Sequence, residues 1–347
     1  MGHSPLSLAD AERPAAAEAD AAGIAAGLSS LIENGAGELV EAAVRRVLER
    51  GHRVNGDPGS TEVLNQTLCQ VDPRRRVLSS DASSFNPAVA VARLVWHLGG
   101  NSDLGAIDFY EPRARLFSDD AKVLPGSNTG ARIFGARDGI DQVEGLISRL
   151  AEDPASRRGT AVVWRPLDAI RTSRDIPCTL AIASHLREGQ LITTVVMRSN
   201  NALRLLPYNL FEFTMLAELI AVELGANLGP YWHSVLSLHV FDADTSGANA
   251  LLDAGKASGE PLPPMSPHPL QEASRLVEHE RKLRAAFLSK TYDDLPSLVA
   301  QAETELHPYW FGLYAVLTLF AWKRAQQSKP GLDLERLQQA VPAALRG

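Results

Sequence analysis

The residues able to do chemistry are few and well separated. Cys178 follows Pro177 and opens the run "CTLAIASHL", while a second run, "LITTVVMR", ends at Arg198 and Ser199. A cysteine attacks carbon only as its thiolate; a cysteine without such a role is usually a small buried hydrophobe. An arginine fork matches the oxygens of phosphate or carboxylate. Asn209, in "LPYN", offers a donor and an acceptor on one side chain and also stands where a helix N-cap belongs. His239 lies on the alternating run "HSVLSLHVF", where a lone histidine is ordinarily structural. Arg157 and Arg158 follow an amphipathic helix and form a small basic cluster.

These groups need elements to hold them. The spacing of "LVEAAVRRVLER" (39–50) predicts a helix closed by Gly51. A loop-rich stretch, "GHRVNGDPGSTE" (51–62), leads to a helix in "AVAVARLVWHLGG" ended by its glycine pair. Ile140, Val143, Leu146, Ile147 and Leu150 predict another amphipathic helix. The period then changes, and "TAVVW", "CTLAIASHL", "LITTVVMR" and "HSVLSLHVF" suit strands. Between the last two, "LFEFTMLAELIAVELG" reads as a buried helix crossing the sheet, capped by Gly225. The Pro-rich "SGEPLPPMSPHP" reads as a linker to a helical tail. The boundaries expected are a helical or partly disordered segment over 1–54, a catalytic core over 55–250, and a C-terminal helical extension over 265–347.

The 347 residues are 45% hydrophobic, enough for a large core, and the formal net charge is -7. That balance argues against nucleic acid as a partner. Two cysteines, Cys69 and Cys178, give no disulfide framework, no CxxC and no metal site, and a cytoplasmic setting follows most simply. "MGHSPLSLADAERPAAAEAD" has neither a basic start nor an apolar core and lacks the myristoylation pattern. "WFGLYAVLTLFAW" (310–322) falls short of the roughly 20 apolar residues of a membrane span and reads as a buried helix. No repeat, GxGxxG or Walker loop is present.

Taken together, "SRRGTAVVW", "IPCT", "MRSNN", "LPYN" and "SLHVF" resemble the thymidylate synthase family, in the branch that includes pyrimidine nucleotide hydroxymethylases. The resemblance covers roughly residues 55–245. It implies an α+β fold with a large mixed sheet covered by helices, to which the C-terminal helices are added, and a homodimer formed through the sheet's face. It further implies folate-dependent one-carbon transfer to C5 of a pyrimidine nucleoside 5'-monophosphate, with 5,10-methylenetetrahydrofolate as co-substrate and no metal. Addition of a thiolate at C6 turns C5 into a nucleophile, which is why such a site needs a cysteine.

By that resemblance Cys178 is the nucleophile, and Arg198, with Ser199 beside it, grips the phosphate and favours the thiolate. Arg157 and Arg158 match a pair that crosses the dimer interface to the partner's phosphate. Asn209 matches the reader of the base edge and leans toward uracil. His239 matches the sugar contact; the tyrosine two residues on is Phe241 here, which opens a change of sugar preference. Asn201 stands where the family has a folate-contacting aspartate.

The pattern also departs from the family. Arg93 replaces a glutamate that organises water around the base, Thr129 replaces a tyrosine implicated in proton removal, and "NGDPGSTEV" has no clear phosphate-binding arginine. Asp108, Glu111 and Asp119 are nearby carboxylates that could substitute, although a solvated turn is the expectation for Glu111. The apolar closing tail and the shielding tryptophan have no counterpart. A wetter pocket favours water adding to the one-carbon unit, hence hydroxymethylation. The alternatives are thymidylate-type methylation of dUMP or UMP, a nucleotide-binding homologue with lost or altered catalysis, and a scaffold turned to another nucleophilic carbon.

Overall fold

The computed structural model describes residues 30–135, 139–255, 259–325 and 331–346. The expectation for residues 1–29 lies outside the described residues.

The described chain opens with β1 (Leu31–Glu33), α1 (Ala36–Arg50), β2 (His52–Val54) and β3 (Ser60–Gln70). In α1 the stripe Leu39, Val40, Ala43, Val44 and Val47 is buried, and the Gly51 amide closes the helix on Val47 O. β1 and α1 thus join the sheet and its cover rather than preceding them.

The stretch expected to be a loop over 51–62 is instead a hairpin, with β2 antiparallel to β3 from His52↔Glu62 to Val54↔Ser60. β3 itself, "STEVLNQTLCQ", was not foreseen. Polar letters mask its alternation: Gln66 and Gln70 are buried, the Nε2 of Gln66 donating to Leu64 O and that of Gln70 to Asp72 O and Arg75 O. A long antiparallel pairing with the last strand decides the conformation, a tertiary term that overrides local propensity.

Next come α2 (Pro87–Leu98), α3 (Leu104–Asp108), a 3-10 turn (Pro112–Phe117), α4 (Gly130–Ile133) and α5 (Gln142–Glu152). α2 starts where Asn86 Oδ1 accepts from Ala88 N and Val89 N with Pro87 at the first helical position. It stops at the glycine pair, Gly100 having φ +62°. The strands β4 (Thr160–Val162), β5 (Thr179–Arg187), β6 (Gln190–Met197) and β7 (Asn200–Asn201) follow. Then α6 (Leu206–Glu223), β8 (Asn227–Phe241), α7 (Thr245–Ala254), α8 (Pro269–Ser289), α9 (Leu295–Glu305), α10 (Pro308–Ala325) and α11 (Leu334–Ala340) complete the described chain.

The strands form one eight-stranded sheet in the order β1-β3-β8-β6-β5-β4, with β2 also on β3 and β7 on β8. β6 and β7 run parallel to β8, and β1 runs parallel to β3, while the remaining pairs are antiparallel. The expected α+β fold, a mixed sheet covered by helices, is the one observed.

α6 covers the face that carries Tyr231, His233 and Val235, all fully buried, with the Phe213 ring 6.5 Å from that of His233. The opposite face presents Trp232 in register with Cys69 and Thr194, beside Val196 and the exposed Leu64 and Leu236.

A buried ionic clamp anchors α6. Arg74 Nε lies 2.7 Å and Arg76 Nη2 2.5 Å from the Glu218 carboxylate, which also accepts from Met265 N. The Pro-rich stretch is therefore packed, with Leu262, Met265 and Ser266 buried. Trp310 of α10 donates to Ser266 Oγ at 2.9 Å. The apolar run 310–322 forms a buried helix as expected, and no helix among the described residues is long and apolar enough to cross a membrane.

Candidate active site

Sheet register assembles the site. Thr179 of β5 pairs with Met197 of β6, so Cys178 and Arg198 stand side by side at the strand ends, Arg198 N donating to Cys178 O at 2.8 Å. The Arg198 guanidinium folds back on the cysteine loop. Its Nε donates to Pro177 O at 2.8 Å, its Nη2 to Ile176 O at 3.1 Å, and the group stands 5.8 Å from the Trp164 ring centre. Part of this cation's donor capacity therefore shapes the loop, while the Nη1 edge makes no hydrogen bond among the described residues.

Asp175 holds the same loop from the other side, accepting from Gly126 N at 2.5 Å and from Ser127 Oγ. A side chain at position 126 would put Cβ 2.2 Å from Asp175 O, so only glycine allows this approach.

The next residues of the same strand end complete the cluster. β7 pairs with β8 at Asn200↔Leu238 and Asn201↔His239, bringing Ser199 Oγ to 3.4 Å from His239 Nδ1. Asn209, in the first turn of α6, is buried with its Oδ1 3.1 Å from Asn200 Nδ2. Cys178, Arg198, Ser199, His239 and Asn209 are therefore joined through a continuous run of contacts at one end of β5, β6 and β7.

Two placements differ in kind. Asn201 Oδ1 accepts from Leu203 N and Arg204 N, and its Nδ2 donates to Asp244, so both ends of this carboxamide are bonded within the chain. Arg157 and Arg158, on the turn between α5 and β4, are exposed and make no side-chain hydrogen bond or ion pair among the described residues.

Electrostatics refine the picture of the thiol. Burial pushes the half-buried Cys178 thiol above its usual 9.0; Arg198 pulls it down and Asp175 pushes it up. The thiolate-favouring effect of Arg198 is present but outweighed. Burial likewise lowers the His239 pKa, favouring neutral imidazole.

The departures from the family pattern form a cluster of their own. Arg93 is paired with Glu212, lies 3.1 Å from Glu111, and stands 5.6 Å from the Tyr208 ring centre. Glu111 is thus a partner of Arg93 and not the solvated turn residue expected. Asp108 is spent on Arg115, and Asp119 accepts from Ser173 Oγ and Arg174 N. Beside Thr129 lies a cavity of about 20 Å³ bordered by His97 and Glu212; His97 Nδ1 stands 3.6 Å from Glu212 Oε2, and neither His97 Nε2 nor Glu212 Oε2 has a hydrogen-bond partner among the described residues. That volume is the size of one water.

Sequence reasoning missed Glu212, Tyr231, His233 and Asn200. The only available signal was polar residues inside otherwise apolar runs, as in "LFEFTML" and "YWHSV".

A mixed sheet with a thiol-centred polar cluster at one end of its strands defines the class. Comparison with known proteins agrees: the thymidylate synthase family model matches residues 92–294, more than half of the chain. The chain belongs to the thymidylate synthase family. A deoxyuridylate hydroxymethyltransferase of Bacillus phage SP01 is 29% identical over 254 residues, covering 68% of this chain and 66% of that protein. Another, from Delftia phage PhiW-14, is 28% identical over 221 residues, covering 59% and 60%. A putative thymidylate synthase of Methanocaldococcus jannaschii is 35% identical over 106 residues, covering 29% and 48%. The chain thus spans roughly half to two thirds of the length of these relatives.

Proposed function

We propose that this protein is a C5 hydroxymethyltransferase of a pyrimidine nucleoside 5'-monophosphate, with deoxyuridylate the first substrate to test and 5,10-methylenetetrahydrofolate the carbon donor. The observation that carries the reading is the direct Cys178–Arg198 contact, continued through Ser199 and Asn200 to His239 and Asn209.

Cys178 Sγ adds to C6 of the base, making C5 nucleophilic, and leaves again when the product forms. Arg198, through its Nη1 edge, and Ser199 hold the phosphate; the incoming anion and the loop carbonyls share one guanidinium. His239, neutral, meets the sugar, and Asn209 pairs with the base edge. The folate supplies one carbon at the aldehyde oxidation level. The net exchange replaces the C5 hydrogen by CH2OH, consuming water and releasing tetrahydrofolate, so no electrons are transferred.

A cavity large enough for such a carrier borders the start of α2, although none of Cys178, Arg198, Ser199, Asn209 and His239 lines it. The Tyr208 ring is 5.0 Å from that of Phe85, and Phe85 lines this cavity of about 890 Å³ with Pro87, Leu319, Phe320 and Lys323. The aromatic rings would pack a flat heterocycle, and Lys323 would meet a carboxylate. Asn201 has its Oδ1 taken up by two backbone amides and one Nδ2–H by Asp244, which leaves one N–H for the carrier.

A homodimer through the uncovered sheet face, with Arg157 and Arg158 reaching the partner's site, fits both the half-exposed Trp232 row and the lack of a side-chain partner for the two arginines among the described residues. The two free thiols suit a cytoplasmic setting.

The test is mass spectrometry of the nucleotide after incubation with dUMP and methylenetetrahydrofolate. A product heavier by one CH2O unit, absent with Cys178→Ala, is expected. A methyl product accompanied by dihydrofolate would replace this reading with thymidylate-type methylation. A catalytically silent nucleotide binder is favoured by one observation, the raised thiol pKa. Tight dUMP binding without folate-dependent tritium release from C5 would establish it.

A further inference from the structure

A carboxamide reads a base with a definite polarity. Uracil presents an acceptor at O4 and a donor at N3–H, and cytosine presents a donor at N4 and an acceptor at N3. Exchanging Oδ1 and Nδ2 of one asparagine therefore exchanges the base it matches. Whatever holds the Asn209 side chain one way round decides between the two.

Asn200 is the group that touches it. This residue is 1% exposed, and its Nδ2 lies 3.1 Å from Asn209 Oδ1, 3.0 Å from His233 Nε2 and 3.1 Å from Met197 Sδ. Behind it, His233 Nδ1 lies 2.8 Å from the Tyr231 hydroxyl, and both residues are fully buried. Burial lowers the His233 pKa to about 3, so the ring is neutral, with one bare nitrogen and one N–H. Bare Nε2 accepts from Asn200, and Nδ1–H donates to the Tyr231 oxygen.

Turning the Asn200 amide over would leave its two N–H donors where Oδ1 now stands. Oδ1 has no hydrogen-bond partner there among the described residues. One under-satisfied carbonyl oxygen is a commoner and smaller cost than a stranded donor pair.

We infer that Asn200, oriented by the His233–Tyr231 pair, sets the amide polarity of Asn209 and thereby the choice between uracil and cytosine. The inference rests on the proposed role of Asn209 as base reader. Asn200 is a positioning residue, acting through the carboxamide beside it, and its substitution acts on discrimination rather than on the thiol chemistry. An acceptor-only group at position 200 favours the reversed Asn209, and an apolar one frees it.

Titration calorimetry with dUMP and dCMP tests this on the wild-type chain, Asn200→Asp and Asn200→Ala. Asn200→Asp is expected to move the dUMP:dCMP affinity ratio about ten- to hundredfold toward dCMP, and Asn200→Ala to bring it close to one. A ratio unmoved by either substitution, in a protein that binds dUMP, overturns this inference alone. A wild-type protein that binds neither nucleotide overturns the base-reading role as well. The wild-type chain gives a reading independent of the folding of either variant: nitrogen-15 NMR of the buried imidazole should show His233 Nε2 unprotonated, and a proton on that nitrogen overturns the polarity argued here.

Discussion

Cys178 works under opposed influences. Burial and Asp175 hold its proton on, and Arg198 draws it off. Alkylation of the ligand-free thiol should therefore be slow near neutrality and keep rising as pH passes 9.0, and Arg198→Ala should slow it further at any given pH. A midpoint well below that value would contradict the account. His233 supplies a second titration. Its folded pKa, about 3, lies below the ordinary 6.5, so the unfolded chain binds the extra proton first. Stability contributed by the neutral ring is present above pH 6.5 and lost as pH falls toward 3, at a limiting ~1.4 kcal/mol per pH unit. Urea unfolding measured at a series of acidic pH values should show a shallower decline for His233→Gln.

At the scale of elements, α6 is the piece whose ionic contacts decide most. Arg76 and Glu218 are both fully buried, and Arg74 and Met265 N complete the clamp. Glu218→Ala strands a guanidinium in the core and should cost about 3–5 kcal/mol of unfolding free energy. The Arg93 cluster gives a sharper expectation. Arg93→Glu writes the family's usual residue back into α2, yet sets a third carboxylate against Glu212 and Glu111. It should lower stability by several kcal/mol and fail to raise turnover. Improved activity with an unchanged melting temperature would show that the cluster is not integrated as argued.

For the whole molecule, the proposed dimer through the sheet face would have each site completed by Arg157 and Arg158 of its partner. Sedimentation should give twice the monomer mass. Cys178→Ala and the doubly substituted Arg157→Glu, Arg158→Glu chain should each be inactive alone. Mixed and allowed to exchange subunits, they should recover about a quarter of wild-type activity, since half the dimers are mixed and one of their two sites is intact. No recovery would place the two arginines outside the neighbouring site.

The sequence by itself determined the helices with a clean 3.6-residue stripe, four strands in short β-branched or alternating runs, and a set of polar residues whose motif order matches one family. Those signals are local, being periodicity, caps and short motifs, so a single chain displays them. Strand β3 was beyond reach because its buried glutamines resemble surface residues until their amides find backbone partners. Glu111 gave no sign of its role because its partner, Arg93, is brought to it only by the packing of α2 against the following turn. The spacing of Asn200 and Asn209 says nothing of their contact, or of His233 behind them, 33 residues away from Asn200 in sequence. Tertiary structure alone decided these, because burial and the pairing of distant polar atoms determine which way a carboxamide faces and whether a thiol keeps its proton.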